Sequence, residues 1–368
     1  GRHARGMSFL PHSPARLLAI ALLLAAGTAP ARDLHQRIAQ PERGDTPYGG
    51  AKYLQFLQQV GSPLESLARP GEPTLAFAVI EPRDYRLDYR YRRRADDLGM
   101  RFDFTADAPR LPPPVRGTVV MLHGLTMDAS TQGLWGLALA EEGYRTVLLD
   151  LRNHGFSGDG PAGFGTREAD DVQALLAQLR AEHRLAEPVI LFGTSYGAVT
   201  ALHASSRAGS SIAGVVAMEP FANAGDSVRQ YVQRLKSGDG GGWSARAVGW
   251  WLRRTVPEAE LDAAIVRAGD TLALDLDRLE TSAPLAATEA CVLLLQGAED
   301  RLVPVETART LARAGGDRVH YAELPDENHY SLPARIDWLR TPLRDWLAGL
   351  AQGRGDCPAL ALPPDPLA

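Results

Sequence analysis

Cysteine is nearly absent: 368 residues contain two, Cys291 and Cys357. Neither lies at a metal-ligand spacing, which excludes a cysteine-built metal centre. An oxidising compartment would permit one bridge without requiring it. Cys291 opens the apolar run Val292 to Leu295 and reads as a buried thiol, whereas Cys357 sits in a proline-rich tail and reads as a loose one. Lysine is as scarce, with Lys52 and Lys236 alone, so basic charge is almost all arginine. The formal net charge is -5, and the chain shows no basic stripe with interleaved aromatics. That balance excludes a nucleic-acid partner. Long apolar runs are missing too. Leu17 to Ala26 falls short of the roughly 20 residues that span a bilayer, so no stable membrane span is expected.

What the chain does hold is a globular composition, 45% hydrophobic and 23% charged. Its start has the form of an export signal. Arg16 supplies positive charge, Leu17 to Ala26 the apolar core, and Ala29-Pro30-Ala31 a small-x-small cleavage site. Residues 1–6 precede Met7 and read as an upstream addition, and the mature chain is expected to begin near Arg32. The expected location is therefore exported, either periplasmic or secreted.

Short apolar strands alternating with helical patterns fill residues 119–350. Val119 to Leu122, Thr146 to Leu149, Val189 to Phe192, Ile212 to Met218, Val292 to Leu295 and Val319 to Leu324 predict strands. Thr166 to His183 predicts an amphipathic helix with Val172, Leu175, Leu176 and Leu179 on one face. The alternation predicts an α/β fold, a mostly parallel central sheet with helices on both faces. Arg83 to Arg92 and Met100 to Thr105 predict two antiparallel strands at a half-exposed edge. The strand rhythm stops between Glu219 and Pro284, which predicts a helical cap insertion over residues 220–284. Its aromatics Tyr231, Trp243, Trp250 and Trp251 either form a small core or line an acyl pocket. The expected layout is thus a signal (1–31), an N-terminal extension (32–82), a catalytic domain (83–350) and a disordered tail (351–368).

The chemistry concentrates at Gly193-Thr194-Ser195-Tyr196-Gly197. A G-x-S-x-G run arises readily by chance, but this one follows an apolar strand and opens a helix, as a nucleophile elbow requires. Flanking glycines clear the path where strand and helix nearly collide. A serine hydroxyl needs a base during attack, and His329, in the loop after the last predicted strand, is the candidate. That base needs a carboxylate to hold its tautomer. Asp300 follows the Cys291 to Leu295 strand, and Glu219, ending the strand Ile212 to Met218, is the alternative acid. The amides of Tyr196 and Leu125 are the candidate oxyanion hole. His123 and His154 lie in turns with no ligand spacing around them and read as structural, as does Asp150, a loop organiser. No cofactor and no metal is expected.

The segments Val120 to Gly124, Leu149 to Gly158, the elbow, Gly297 to Pro304 and Asp326 to His329 together resemble the α/β-hydrolase superfamily across residues 83–350. Within it the chain is similar to the lysophospholipase and carboxylesterase-like branch. The resemblance implies a serine hydrolase working through an acyl-enzyme, without a cofactor, on a small-molecule ester or lipid-like substrate. Ser195 in place of an aspartate excludes the haloalkane dehalogenase and epoxide hydrolase branches. A peptidase, amidase or thioesterase with the same triad stays open, as does a binding protein on a hydrolase scaffold.

Overall fold

A computed structural model describes residues 7–9, 33–44, 46–94, 97–106, 114–238, 242–352 and 356–367. The expected signal segments at 16–31 lie outside the described residues. A short strand β1 (Met7–Phe9) comes first, followed by helices α1 (Leu34–Ala39) and α2 (Ala51–Val60). Strands β2 (Leu64–Arg69), β3 (Glu72–Ile80), β4 (Tyr85–Arg94) and β5 (Asp97–Ala106) complete the N-terminal part. The catalytic-domain alternation runs β6 (Thr118–Leu122), α3 (Gly133–Glu141), β7 (Arg145–Asp150), α4 (Thr166–Ala181), β8 (Val189–Thr194), α5 (Tyr196–Arg207) and β9 (Gly214–Met218). Cap helices α6 (Ala224–Ser237), α7 (Gly242–Thr255) and α8 (Glu258–Leu272) follow, then α9 (Ser282–Ala287). The chain ends with β10 (Cys291–Gly297), α10 (Val305–Ala314), β11 (Val319–Leu324) and α11 (Ile336–Ala351).

Eight strands form the central sheet in the order β11-β10-β9-β8-β6-β7-β3-β2. All pairs from β11 to β7 are parallel, and β3 and β2 add antiparallel at one edge. Successive side chains of a strand point to opposite faces, so each strand feeds two cores. Val120, Leu122, Leu191, Val215 and Leu294 enter one core. Val119, Met121, Phe192, Val216 and Leu295 enter the other. Helices α4 and α5 pack on the first face, and α3 and α11 on the second. Burial on both faces is why these strands read as continuous apolar runs.

Three expectations need correcting. The sheet begins at Leu64, inside the stretch taken as an N-terminal extension, because β3 pairs with β7 and β2 pairs with β3. The β4–β5 hairpin is antiparallel as expected, but it forms a separate sheet with β1 and does not edge the central one. The tail is not disordered between 356 and 367, and the two cysteines are bonded to each other. Its prolines supply carbonyls to buried indoles: Trp346 Nε1 donates to Pro358 O and Trp338 Nε1 to Pro363 O, both at 2.9 Å. Leu360 is buried, and Asp365 pairs with the buried Arg335 at 2.5 Å.

Candidate active site

Every candidate side chain sits at the carboxyl edge of the parallel strands. Ser195 follows β8, Glu219 follows β9, Asp300 lies in the loop after β10, and His329 in the loop after β11. These four strands are consecutive neighbours in the sheet. Residues more than a hundred positions apart are thereby set within a few strand spacings of about 4.8 Å.

Ser195 caps α5 at φ 53° and ψ -114°, a region that non-glycine residues rarely occupy. The turn is held from both sides. Ser195 N donates to Met218 O on the neighbouring strand at 2.7 Å, and Ser195 O accepts from Ala198 N and Val199 N. Its flanking glycines are sterically required. A Cβ at Gly193 would lie 2.2 Å from Gly197 O, and one at Gly197 would lie 2.2 Å from Leu122 O. Ser195 is partly exposed, and no hydrogen bond among the described residues joins its hydroxyl to His329. Catalytic hydrogen bonds often tighten only when substrate is bound.

His329 is buried and its Nδ1 lies 2.8 Å from Asp300 Oδ2. Asp300 is itself fixed. Its Oδ1 accepts from Leu302 N at 2.7 Å and Val303 N at 2.8 Å, and its Oδ2 also accepts from Gln296 Nε2 at 3.1 Å. That arrangement occupies Nδ1 of His329 and leaves Nε2 without a hydrogen-bond partner among the described residues. Glu219, the alternative acid, is 3.6 Å from the same Nδ1. It is fully buried, and neither carboxyl oxygen has a hydrogen-bond partner. Burial, then the nearby Asp300 and Glu327 charges, push its carboxyl well above the usual range, against a smaller opposing contribution from the Gly297 backbone. The structure therefore couples His329 to Asp300 through a hydrogen bond and leaves Glu219 as a buried neighbour at longer range. Among the described residues these three are also the grouping with metal-ligand chemistry, their ligand atoms lying within 4.8 Å of one another. A cation there would compete with the His329–Asp300 bond.

The loop after β6 runs beside the serine, since a Cβ on Gly124 would lie 3.8 Å from Ser195 Cβ. Its turn is closed by Met127 N to Gly124 O, which leaves the Leu125 N–H without an acceptor among the described residues. Tyr196 is the first residue of α5, so its N–H has no helical carbonyl to bond. Two buried histidines hold this loop. His123 bridges Gly124 O (Nδ1, 2.8 Å) and Leu151 N (Nε2, 3.0 Å). His154 bridges Arg152 O (Nδ1, 2.7 Å) and Thr126 N (Nε2, 3.0 Å). Each ring donates once and accepts once, which only a neutral imidazole can do. Burial lowers His123 to about 4, and burial with the His123 charge lowers His154 to about 3. Asp150 accepts from Ala129 N and Phe156 N, joining the same two loops, and burial raises it to about 6.

Two features were not legible as functional. Arg335 is wholly buried, bonds Glu327 two residues before His329, and stacks near Tyr91 and Trp338. It ties the histidine loop to the tail through Asp365. An arginine before a helix reads as surface charge, so no sequence signal marked it. The cap supplies Tyr231, whose phenol is pushed up to about 12 by burial, with a smaller contribution from Tyr330. The tryptophans of the cap do neither of the things expected of them. Trp243, Trp250 and Trp251 are exposed, and the small core beneath them is Val248 and Leu252 with Leu235 and Val256.

The alpha/beta hydrolase family matches residues 119–352, more than half of the chain. The uncharacterized protein YqkD of Bacillus subtilis is 29% identical over 91 residues, which is 25% of this chain and 30% of that protein. The chain thus spans less than a third of that curated relative's length. Esterase Pf2001 of Pyrococcus furiosus superposes with a TM-score of 0.54 at 15% identity, over 85% of this chain and 96% of that one. A thermophilic esterase from Thermogutta terrifontis gives a TM-score of 0.50 at 20% identity, over 78% and 98%. Such identities speak to the fold alone, here a mostly parallel sheet covered on both faces. On the match over residues 119–352, this chain belongs to the alpha/beta hydrolase family.

Proposed function

We propose that this hydrolase cleaves carboxylic esters through an acyl-enzyme, with Ser195 as nucleophile, His329 as base and Asp300 as the acid that orients it. The observation that carries the reading is the 2.8 Å His329 Nδ1–Asp300 Oδ2 hydrogen bond on the same strand edge as a serine at φ 53°. In the first step Ser195 Oγ adds to the ester carbonyl carbon while His329 Nε2 takes its proton. Negative charge develops on the carbonyl oxygen, where the Leu125 and Tyr196 amides would donate, each worth roughly 3 kcal/mol of barrier. Collapse breaks the bond to the alcohol, which leaves with the proton from His329. Water then repeats the sequence in reverse and releases the acid.

Export is part of the proposal. A signal-like N-terminus and the Cys291–Cys357 bridge both suit an oxidising compartment. The reading is tested by labelling the purified protein with a fluorophosphonate probe beside Ser195→Ala, then measuring a p-nitrophenyl ester chain-length series. Labelling lost in the variant, with ester turnover in the parent, is the expected result. Absence of labelling in folded protein overturns it, and labelling without ester turnover moves the substrate to amides.

A further inference from the structure

An ordinary surface helix buries its apolar stripe and shows charge on the opposite face. Helix α7 does the first and reverses the second. Ala245, Val248 and Leu252 are buried, the last two against Leu235 of α6 and Val256. On the opposite side stand Trp243, 85% exposed, and Trp250, 55% exposed, with Trp251 beside them at 36%. These are three of the six tryptophans in the chain. The spacing explains the geometry: positions 243, 250 and 254 return to one face of a 3.6-residue helix, directly across from 245, 248 and 252.

Charge on this helix has one sign. It carries Arg246, Arg253 and Arg254 and no acidic residue, within a chain of net charge -5. The Arg254 guanidinium lies over the Trp250 ring at 4.7 Å, so aromatic and cationic groups share the outward face. Arg253 bonds the Lys236 carbonyl, which ties the helix to α6. Read linearly the chain shows no basic aromatic stripe; the helix assembles one from residues several positions apart.

We propose that the outward face of α7 docks on an anionic lipid surface. Indole rings suit the headgroup region because one end is apolar and the N–H stays hydrogen-bonded. Arginines at the same level bond lipid phosphates through their planar forks. The helix has 14 residues, about 21 Å, so it lies in the surface plane and does not cross. No helix among the described residues is long and apolar enough to cross a membrane. Beneath it, the Arg253 bond to the Lys236 carbonyl and the packing on Leu235 seat α7 on α6, the first helix of the cap. Docking through α7 would hold the cap, and with it the strand edge, at the surface where lipid-like esters partition.

The test is vesicle flotation of the full chain and of Trp243→Ser/Trp250→Ser/Trp251→Ser. The vesicles are phosphatidylcholine alone, or phosphatidylcholine with about 30% phosphatidylglycerol. The parent is expected to bind the anionic vesicles about tenfold more tightly than the neutral ones, an advantage removed by high salt. The triple variant is expected to lose that binding while turning over a water-soluble ester as the parent does. Arg246→Glu and Arg254→Glu should each weaken binding about fivefold. Failure of the parent to float with anionic vesicles overturns the proposal. So does equal flotation of parent and triple variant. A parent that is dimeric by light scattering, dissociates on the tryptophan substitutions and ignores vesicles overturns it in favour of self-association. Because flotation reads binding and not turnover, an inactive but vesicle-bound protein would sink the esterase reading and leave this one standing.

Discussion

Replacing Cys357 by serine removes the one covalent tie between the tail and the sheet, and the size of the effect follows from the structure. The bridge joins residues 66 positions apart. Closing a loop of that length restricts the unfolded chain by about 4 kcal/mol in the chain-entropy account. Unfolding entropy of roughly 2.1 cal/mol/K per residue gives about 0.8 kcal/mol per degree for 368 residues. The predicted fall in melting temperature is therefore about 5 °C. The native tail should stay docked in the variant, because Trp338, Trp346 and Arg335 still hold Pro363, Pro358 and Asp365. Ester turnover at 25 °C should accordingly be close to that of the parent, and reductant should lower the parent's melting temperature to the variant's value. Differential scanning fluorimetry with and without reductant, alongside a thiol count, makes the comparison. Two free thiols in the unreduced native protein would refute the pairing. A variant melting within a degree of the parent would refute the entropic reasoning.

Asp300→Asn should cut kcat by about 10⁴, because the amide favours the wrong His329 tautomer, whereas Glu219→Gln should leave kcat near the parent's. Equal losses in stopped-flow acylation would make Glu219 the working acid. The same Glu219→Gln should also raise stability over the parent, more at pH 8 than at pH 5, since a carboxyl whose folded pKa is raised withdraws stability as pH climbs above its unfolded value; a pH-independent difference in urea unfolding would contradict the upward shift. Neither His123 nor His154 should take a second proton between pH 8 and 5 in imidazole NMR spectra, given folded values of about 4 and about 3. Unfolded imidazoles protonate near 6.5, so both withdraw stability as pH falls from there toward 4; titration of either ring above pH 6 would break the bridging assignment. Gly197→Ala should cost more than about 3 kcal/mol, because its Cβ would strike the Leu122 and His123 carbonyls, and a variant with parental melting temperature would refute that geometry.

What could be read from the sequence follows burial. Strands β6 to β11 are covered on both faces by helices, so most of them are unbroken apolar runs that announce themselves. Strand β2, Leu-Glu-Ser-Leu-Ala-Arg, is an edge with a half-exposed pattern and no such run. The tail misled for a different reason. Proline-rich composition signals a chain that cannot bury enough surface to order itself. Here ordering comes instead from main-chain carbonyls meeting indole N–H groups, an arginine waiting for Asp365, and a cysteine partner on β10. Each of those partners is remote in sequence, and composition carries no record of them. The cap tryptophans were within reach of periodicity alone. Counting from Val248 and Leu252 puts Trp243 and Trp250 on the far side of the helix, so neither a core nor a pocket was open to them.

The choice between Asp300 and Glu219 shows where sequence reasoning runs out and what replaces it. Both are carboxylates at the ends of adjacent parallel strands, and both reach the same histidine nitrogen. Position along the chain cannot separate them, because either loop presents its acid to the same edge. Solvation and hydrogen bonding can. Asp300 accepts from two backbone amides, a glutamine and the histidine, so its charge is distributed over four donors. Glu219 has no such set of donors while lying in the same dry space, and burial with the neighbouring carboxylates pushes its carboxyl above the usual range. The acid that the donors surround is then the one placed to steady an imidazolium, which is the property a triad requires of its acid.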